Sequence, residues 1–283
     1  MMPVQRDYEF DLPASRLSSW HPDGAGVSHF FNALSLFFPP GERFFIGSVR
    51  NYRACVSDDR LKREVKAFIG QEAMHGREHE AYNQQLEEAG LPAAELEQLV
   101  KKVLDLVQKT APNAWQLSVT IALEHFTAIL ADNLLGNERM LHGAQEQYRQ
   151  LWLWHALEET EHKAVAYDVW RQAMGDGVEA YVVRCGGMLI TGAAFVALVA
   201  AFSAVLIEKD ASRGARPGRL AAYRPLAGFL LGRDGLLRKG LPAWLDYFRT
   251  DFHPWQHDNR RLLRRLKEIA PAQQQRKQLA QAA

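Results

Sequence analysis

Two short segments of this chain repeat one pattern. In FIGQEAMHGREHE, Glu72 precedes His75 by three residues; in WHALEETEHKAVAYDVW, Glu159 precedes His162 by three. Residues at that spacing share one face of a helix, so each pair can offer a carboxylate and an imidazole to a single point. One such pair arises often by chance on a solvated face. Here both sit among apolar residues, Phe68 and Ile69 beside the first, and Trp152, Trp154, Val165 and Val169 beside the second. Two further glutamates stand in apolar surroundings: Glu42 ahead of Arg43-Phe44-Phe45-Ile46, and Glu124 within TIALEHFTAIL. One Glu from each of two helices, joined by Glu-x-x-His from each of two others, is the ligand set of a carboxylate-bridged dinuclear site in a four-helix bundle. The chain order Glu42, Glu72/His75, Glu124, Glu159/His162 puts each contribution on its own predicted helix.

Charge sharpens that reading. Four ionised carboxylates in a low-dielectric core each cost several kcal/mol and repel one another. Without cations they must protonate or reach water. Two metal ions offset that charge, and oxygen ligands with a few imidazoles suit iron first, with manganese or zinc as alternatives. No cysteine lies near the pattern, which argues against iron–sulfur clusters and structural zinc. His155, one turn before Glu159, falls on the same stripe and is a candidate seventh ligand. His79 and Glu158 are candidates for supporting the ligands from behind, and Glu161 is expected either in water or in that same role. His125 points about 100° away from Glu124 and is not expected to ligate. Glu42 has a plainer alternative, a favourable charge near a helix N-terminus. Trp152, Trp154, Phe126 and Phe68 are expected to pack the core.

The set Glu42, Glu72/His75, Glu124 and His155/Glu159/His162 resembles the ligand motif of the ferritin-like di-iron N-oxygenases typified by p-aminobenzoate N-oxygenase. The phrases FPPGERFF, FIGQEAMHGREH, WHALEETEHKAVAYDV and DYFRTDFHPWQHD are similar to a bacterial family of predicted metal-dependent hydrolases, over roughly Ser28 to Leu266. Both resemblances imply a ferritin-like metal core. The first reading is therefore a di-iron enzyme that activates dioxygen to oxidise a small organic molecule. The alternative is a hydrolase in which two metals lower the pKa of a shared water to cleave an ester or phosphoester. A non-catalytic, metal-storing scaffold is a third. Signatures of serine hydrolases, phosphate-binding loops, dinucleotide folds and His-Glu-x-x-His metalloproteases are absent.

The elements that must position these residues read as all-α: a ferritin-like four-helix bundle with additional C-terminal helices. Residues 1–27 are expected as an irregular polar arm, 28–207 as the bundle with its apolar helix, and 208–283 as a basic helical extension. Expected helices run from Ser28 to Phe38, from Pro39-Pro40 to about Cys55, from an Asp58 cap to Ala89, from Pro92 to Lys109, and from Asn113 to about Leu135. Gln145 to Met174 is expected as one helix, then Val178–Ile207, and shorter ones over Leu220–Leu231, Leu241–Thr250 and Trp255–Ile269.

With 283 residues, 47% apolar and 24% charged, the chain can bury a sizeable core, and wholesale disorder is excluded. Its N-terminus lacks the apolar stretch of a signal peptide and Cys55 and Cys185 make no disulfide framework, so a cytoplasmic protein is expected. The net charge of +1 conceals +9 from Glu208 onward (16 Lys/Arg, 7 Asp/Glu) against −8 before it. An acidic body without aromatic-studded basic motifs does not fit nucleic acid. Cys185 to Ile207 carries no charge over 23 residues, long enough either to cross a bilayer or to form a buried central helix. Membrane contact through 185–207 and the basic tail, at the inner face of the cell membrane, is expected as one option, and a homodimer as another.

Overall fold

The computed structural model describes residues 1–211, 219–265 and 269. Ten α-helices and five short 3-10 turns make up the described residues, with no strand among them. The arm does not behave as a polar tail. Phe10, Leu12, Leu17 and Trp20 are all buried in the core, and a 3-10 turn occupies Ala14–Arg16. Helix α1 (Ala25–Ser35) begins three residues before the expected start, after Gly24 at φ 96. Helix α2 (Phe38–Arg50) opens on Phe38-Pro39-Pro40, where the prolines cost no intrahelical bond. Helix α3 (Asp59–Glu88) is capped by the Asp58 carboxylate, which accepts from Arg60 N, and ends before Gly90 at φ 72. Helices α4 (Ala93–Thr110) and α5 (Asn113–Gly136) follow the proline signals in the sequence.

The expected single helix over 145–174 is two: α6 (Glu146–His162) and α7 (Val165–Met174). The break has no glycine or proline to announce it. Its Lys163 turns inward and donates from Nζ to His257 O (2.6 Å) and Asn259 Oδ1 (2.8 Å), a partner nearly a hundred residues away. Helix α8 (Val178–Ala211) is the longest, and α9 (Arg219–Leu231) and α10 (Leu236–Asp246) follow it. The α10 boundaries correct the expected 241–250: the helix starts earlier and continues through Pro242. The helix expected over Trp255–Ile269 is not formed; Pro254–Gln256 and Arg260–Arg265 are 3-10 turns, and 266–268 and 270–283 lie outside the described residues, as does 212–218 of the linker.

Four helices form the centre: α2 packs on α3 and α5, and α6 packs on α5 and α3. Helix α6 is the innermost element, with every residue from Gln150 to His162 buried. A helix enclosed all round has no solvent face to impose a period, so its buried charges are visible only as exceptions within apolar runs. Helix α8 lies outside this group on α1 and α5. It is long and apolar enough to cross a membrane, yet one side of it is packed on the protein: Arg184 is buried and donates to the carbonyls of Tyr247 and Arg249, the latter at 2.8 Å.

Candidate metal centre

The structure brings all seven singled-out side chains into one enclosed cluster. Glu42 comes from α2, Glu72 and His75 from α3, Glu124 from α5, and His155, Glu159 and His162 from α6, none more than 3% exposed. Each of three subsets, Glu42/His75/His155, Glu72/His75/Glu159 and Glu72/Glu124/His162, places donor atoms within 4.8 Å of one another, the spacing that could hold a metal ion. The first and third share no residue. Glu159 faces both, with Oε1 3.0 Å from His155 Nε2 and 3.7 Å from His75 Nδ1, and Oε2 3.4 Å from His162 Nε2. Glu72 Oε1 likewise lies 3.2 Å from His162 Nε2 and 4.0 Å from His75 Nδ1. The arrangement is two adjoining groups of ligand atoms spanned by two carboxylates.

Most of these atoms outside Glu159 and His155 lack a hydrogen-bond partner. Both carboxylate oxygens of Glu42, Glu72 and Glu124, together with His75 Nδ1 and His162 Nε2, are buried without a hydrogen bond. Orphaned buried acceptors of this kind carry a large desolvation cost that a cation would remove, so the donor set fits divalent or trivalent metal ions. In the metal-free protein the cost appears as displaced titrations. Burial, reinforced by Glu159 and Glu124, holds the Glu42 carboxyl well above the usual carboxylate range; burial and the other glutamates do the same to Glu72, and burial and Glu159 to Glu124. Burial also opposes ionisation of Glu159, but His162 and His155 outweigh it and keep its carboxyl well below the ordinary value. The group therefore shares its negative charge unequally, with Glu159 as the residue that stays ionised.

The far sides of His162 and His155 are held as well. His162 Nδ1 meets Gln71 Oε1 at 2.9 Å, so with Nε2 free to ligate, Nδ1 carries the hydrogen. Gln71 in turn donates from Nε2 to Glu161 Oε2 (2.9 Å). His155 Nδ1 lies 2.9 Å from His79 Nε2, and His79 Nδ1 lies 2.8 Å from Ser35 Oγ, which donates to Asn83 Oδ1. His75 Nε2 is 3.3 Å from Glu158 Oε2. Burial pushes the Glu158 carboxyl up to about 8 in spite of Arg6, whose Nη1 is 3.1 Å away. Glu158 and Glu161 are both buried rather than in water: Arg6 from the N-terminal arm clamps the pair, reaching Glu161 Oε1 at 2.7 Å. His125 instead pairs with Ala243 O at 2.9 Å. Trp152, Trp154 and Phe68 are fully buried, while Phe126 is half-buried against Phe195.

Sequence reading missed Arg6, Gln71, Thr127 and Gly76. Thr127 donates to Glu159 Oε2, one helical turn below Glu124. At Gly76 a Cβ would come within 3.0 Å of Glu42 Oε2, so the absent side chain leaves the space that the carboxylate uses. Glycine mid-helix beside a candidate ligand was the one available signal, since it costs about 1 kcal/mol relative to alanine unless packing requires it. Because partners behind a ligating imidazole tune affinity by about 10–100-fold, Gln71→Leu is expected to weaken metal binding within that range without unfolding the chain. Competition with a chromogenic chelator measures it.

Two spaces adjoin the cluster. A small void of about 10 Å3 is lined by Phe38, Leu130, Leu134, Trp152, His155 and Glu159, among others. A surface cleft of about 610 Å3 between the starts of α3 and α7 is lined by Arg60, Glu64, Asp168, Arg171 and Trp255, with Glu161 at its inner side. Gln71 links that carboxylate to His162 through hydrogen bonds of 2.9 Å to each.

An all-helical protein enclosing a buried carboxylate–imidazole cluster whose donor atoms could hold metal ions is, by class, a metal-binding helical protein. A family model for predicted metal-dependent hydrolases matches residues 4–258, nearly the whole chain, and the protein belongs to that family. Comparison with curated proteins and with solved structures returns no match.

Proposed function

We propose that this protein is a metal-dependent enzyme in which Glu42, Glu72, Glu124, Glu159, His75, His155 and His162 hold two metal ions inside a ferritin-like bundle of α2, α3, α5 and α6. The observation that carries this reading is the set of buried, partnerless carboxylate and imidazole atoms converging from four helices. For the reaction, family membership supports hydrolysis of an ester or phosphoester over oxidation by dioxygen, the reading placed first from sequence. Bound metals would supply Lewis-acid polarisation of the substrate and a water of lowered pKa. The chain's own residues do the rest. Glu72 and Glu159 span the two groups, Gln71 and His79 orient His162 and His155, and the Arg6–Glu161 pair closes the side toward the cleft.

One observation favours dioxygen chemistry as a second reading. The void touching His155 and Glu159 has room for about one water-sized molecule and is walled mainly by apolar groups, which suits a small neutral gas better than an ester. Iron, manganese and zinc all suit the ligands. The discriminating experiment measures metal identity on protein purified without added metal, then assays p-nitrophenyl esters and phosphoesters beside oxygen consumption. Cleavage supported by redox-silent zinc establishes hydrolysis; oxygen uptake coupled to substrate oxidation by iron-loaded protein establishes the second reading instead. Full metal occupancy in both Glu72→Ala and Glu159→Ala overturns the assignment of the centre.

Metal uptake is expected to release protons, because Glu42, Glu72 and Glu124 bind protons in the metal-free protein well above the ordinary value of 4.5. Affinity therefore falls as pH is lowered through the raised values. Titration calorimetry in buffers of differing ionisation enthalpy counts the protons, and a count of zero at every pH above 4.5 contradicts the displaced carboxyls.

A further inference from the structure

Helix α8 has two unlike faces. Met188, Gly192, Val199, Phe202 and Leu206 turn inward, and the approach is close: a Cβ on Gly187 would strike Ser118 and one on Gly192 would press on Phe126. The opposite stripe, Leu189, Ala193, Val196 and Ala200 at i, i+4, i+7 and i+11, is exposed, with Ile190 beside it at 66%. From Val182 to Val205 no charged side chain reaches water, since Arg184 is buried. This apolar face continues onto α10. Trp244 reaches Gly192 of α8, and Leu237, Leu241 and Leu245 form an exposed stripe at successive four-residue steps, each about half exposed. Soluble monomers rarely leave so long a run of apolar side chains in water.

Beside this face stand exposed cations. Arg238 and Lys239 sit on the first turn of α10 next to Leu237, with Arg233 just before the helix, whereas Arg249 just after it is paired with Asp251 at 2.9 Å. Lys239 is 3.3 Å from Asp234, and Glu179 is the acidic group at the start of α8. Half-buried Trp244, Phe248 and Tyr223 bring aromatic groups of the kind that settle between hydrocarbon and headgroups.

We propose that the outer face of α8 and α10 docks in the plane of an anionic bilayer surface, with α8 lying on the membrane rather than crossing it. Crossing would require exposing Arg184 to hydrocarbon and breaking its two carbonyl hydrogen bonds. In-plane docking keeps the inner face on α1 and α5 and buries only what already faces outward. A second copy of the chain would meet the cationic border with an identical one, whereas lipid phosphates neutralise it.

Vesicle flotation of the full chain tests this, using phosphatidylcholine vesicles with and without phosphatidylglycerol. Wild type is expected to float with the anionic vesicles and to bind neutral ones at least about tenfold more weakly. L189E/I190E and L237E/L241E leave every basic residue in place, and each is expected to lose about tenfold or more in binding to the anionic vesicles. R238E/K239E should lose binding to anionic vesicles alone. Circular dichroism and metal content are expected to match wild type in all three. Undiminished flotation of both leucine double variants assigns binding to the basic segments and overturns the proposal. So does retention of wild type in vesicles through alkaline carbonate, which marks a spanning helix. A dimer by light scattering that L189E/I190E dissociates, without vesicle binding by wild type, makes the face an interface between copies and overturns it equally.

Discussion

Replacing Glu124 or Glu72 by glutamine is expected to remove at least one of the two metal ions while leaving the metal-free fold as stable as before, or more so. The two effects have opposite signs because the same carboxylate serves two states. With cations present, each glutamate supplies charge and oxygen that glutamine cannot match. Without them, its carboxyl is buried, has no hydrogen bond and is pushed above its ordinary range by burial and its neighbours. Glutamine keeps the shape and avoids the protonation that burial forces on the carboxylate, a change expected to stabilise the chelated protein by about 1–3 kcal/mol. The pH dependence follows with a definite sign. A carboxyl whose folded pKa is raised binds more protons folded than unfolded, so its contribution is full below 4.5 and is lost as pH rises through the raised value. Burial depresses His75 and His79, but above the ordinary value of 6.5 they are neutral in both states and add no slope. As pH rises from 4.5 through the raised values, chelated wild type should therefore lose more stability than E124Q, the histidine contribution being common to both. Urea denaturation with and without chelator, beside metal analysis, reads both effects. A variant that keeps both metals, or whose chelated form is markedly less stable, contradicts a ligand role for that residue.

Arg6→Ala is expected to destabilise the protein by about 3 kcal/mol, a large effect for a residue in an N-terminal arm. Arg6 is itself only 11% exposed and pairs with two carboxylates, Glu158 at 0% and Glu161 at 8%. Its removal leaves both buried without a counter-charge, with Glu158 facing His75 and Glu161 facing Gln71. Val4 N and Gln71 Nε2 still donate to Glu161, but neither carries charge. The loss should widen with pH. Glu158 already titrates at about 8 beside Arg6, so at lower pH it can stay protonated and needs its partner less. The difference between wild type and variant, measured on chelated protein from pH 6 to 9, is expected to grow through about 8. An effect within about 0.5 kcal/mol would instead class Arg6 as an ordinary surface residue.

Much of the site was legible because its grammar is local. Glu-x-x-His, and His155 one turn before Glu159, express a shared helical face in three or four residues. Carboxylates inside runs such as TIALEHFTAIL stand out because an apolar helix has no other use for them. Caps were equally readable: Asp58 acts through a carboxylate two residues from its partner, Gly90 and Pro112 through their own backbone conformations, and the bounds of α3, α4 and α5 fell where they indicated. What lay beyond reach pairs residues far apart. Arg6 meets Glu158 across 152 positions and Gln71 meets His162 across 91, and no periodicity records such a contact. The break after His162 follows the same rule, since Lys163 is drawn to Asn259 by packing alone.

The helix 178–211 shows the division most plainly. Composition alone established that it is long and carries no charge from Cys185 to Ile207, and the types and order of the seven candidate ligands were equally open to reading. Only tertiary packing decided which side of that helix is covered by α1 and α5, and that four separate helices aim their carboxylates at one point. Local spacing sets the direction of a side chain relative to its own helix axis, whereas burial depends on which other helices close around it.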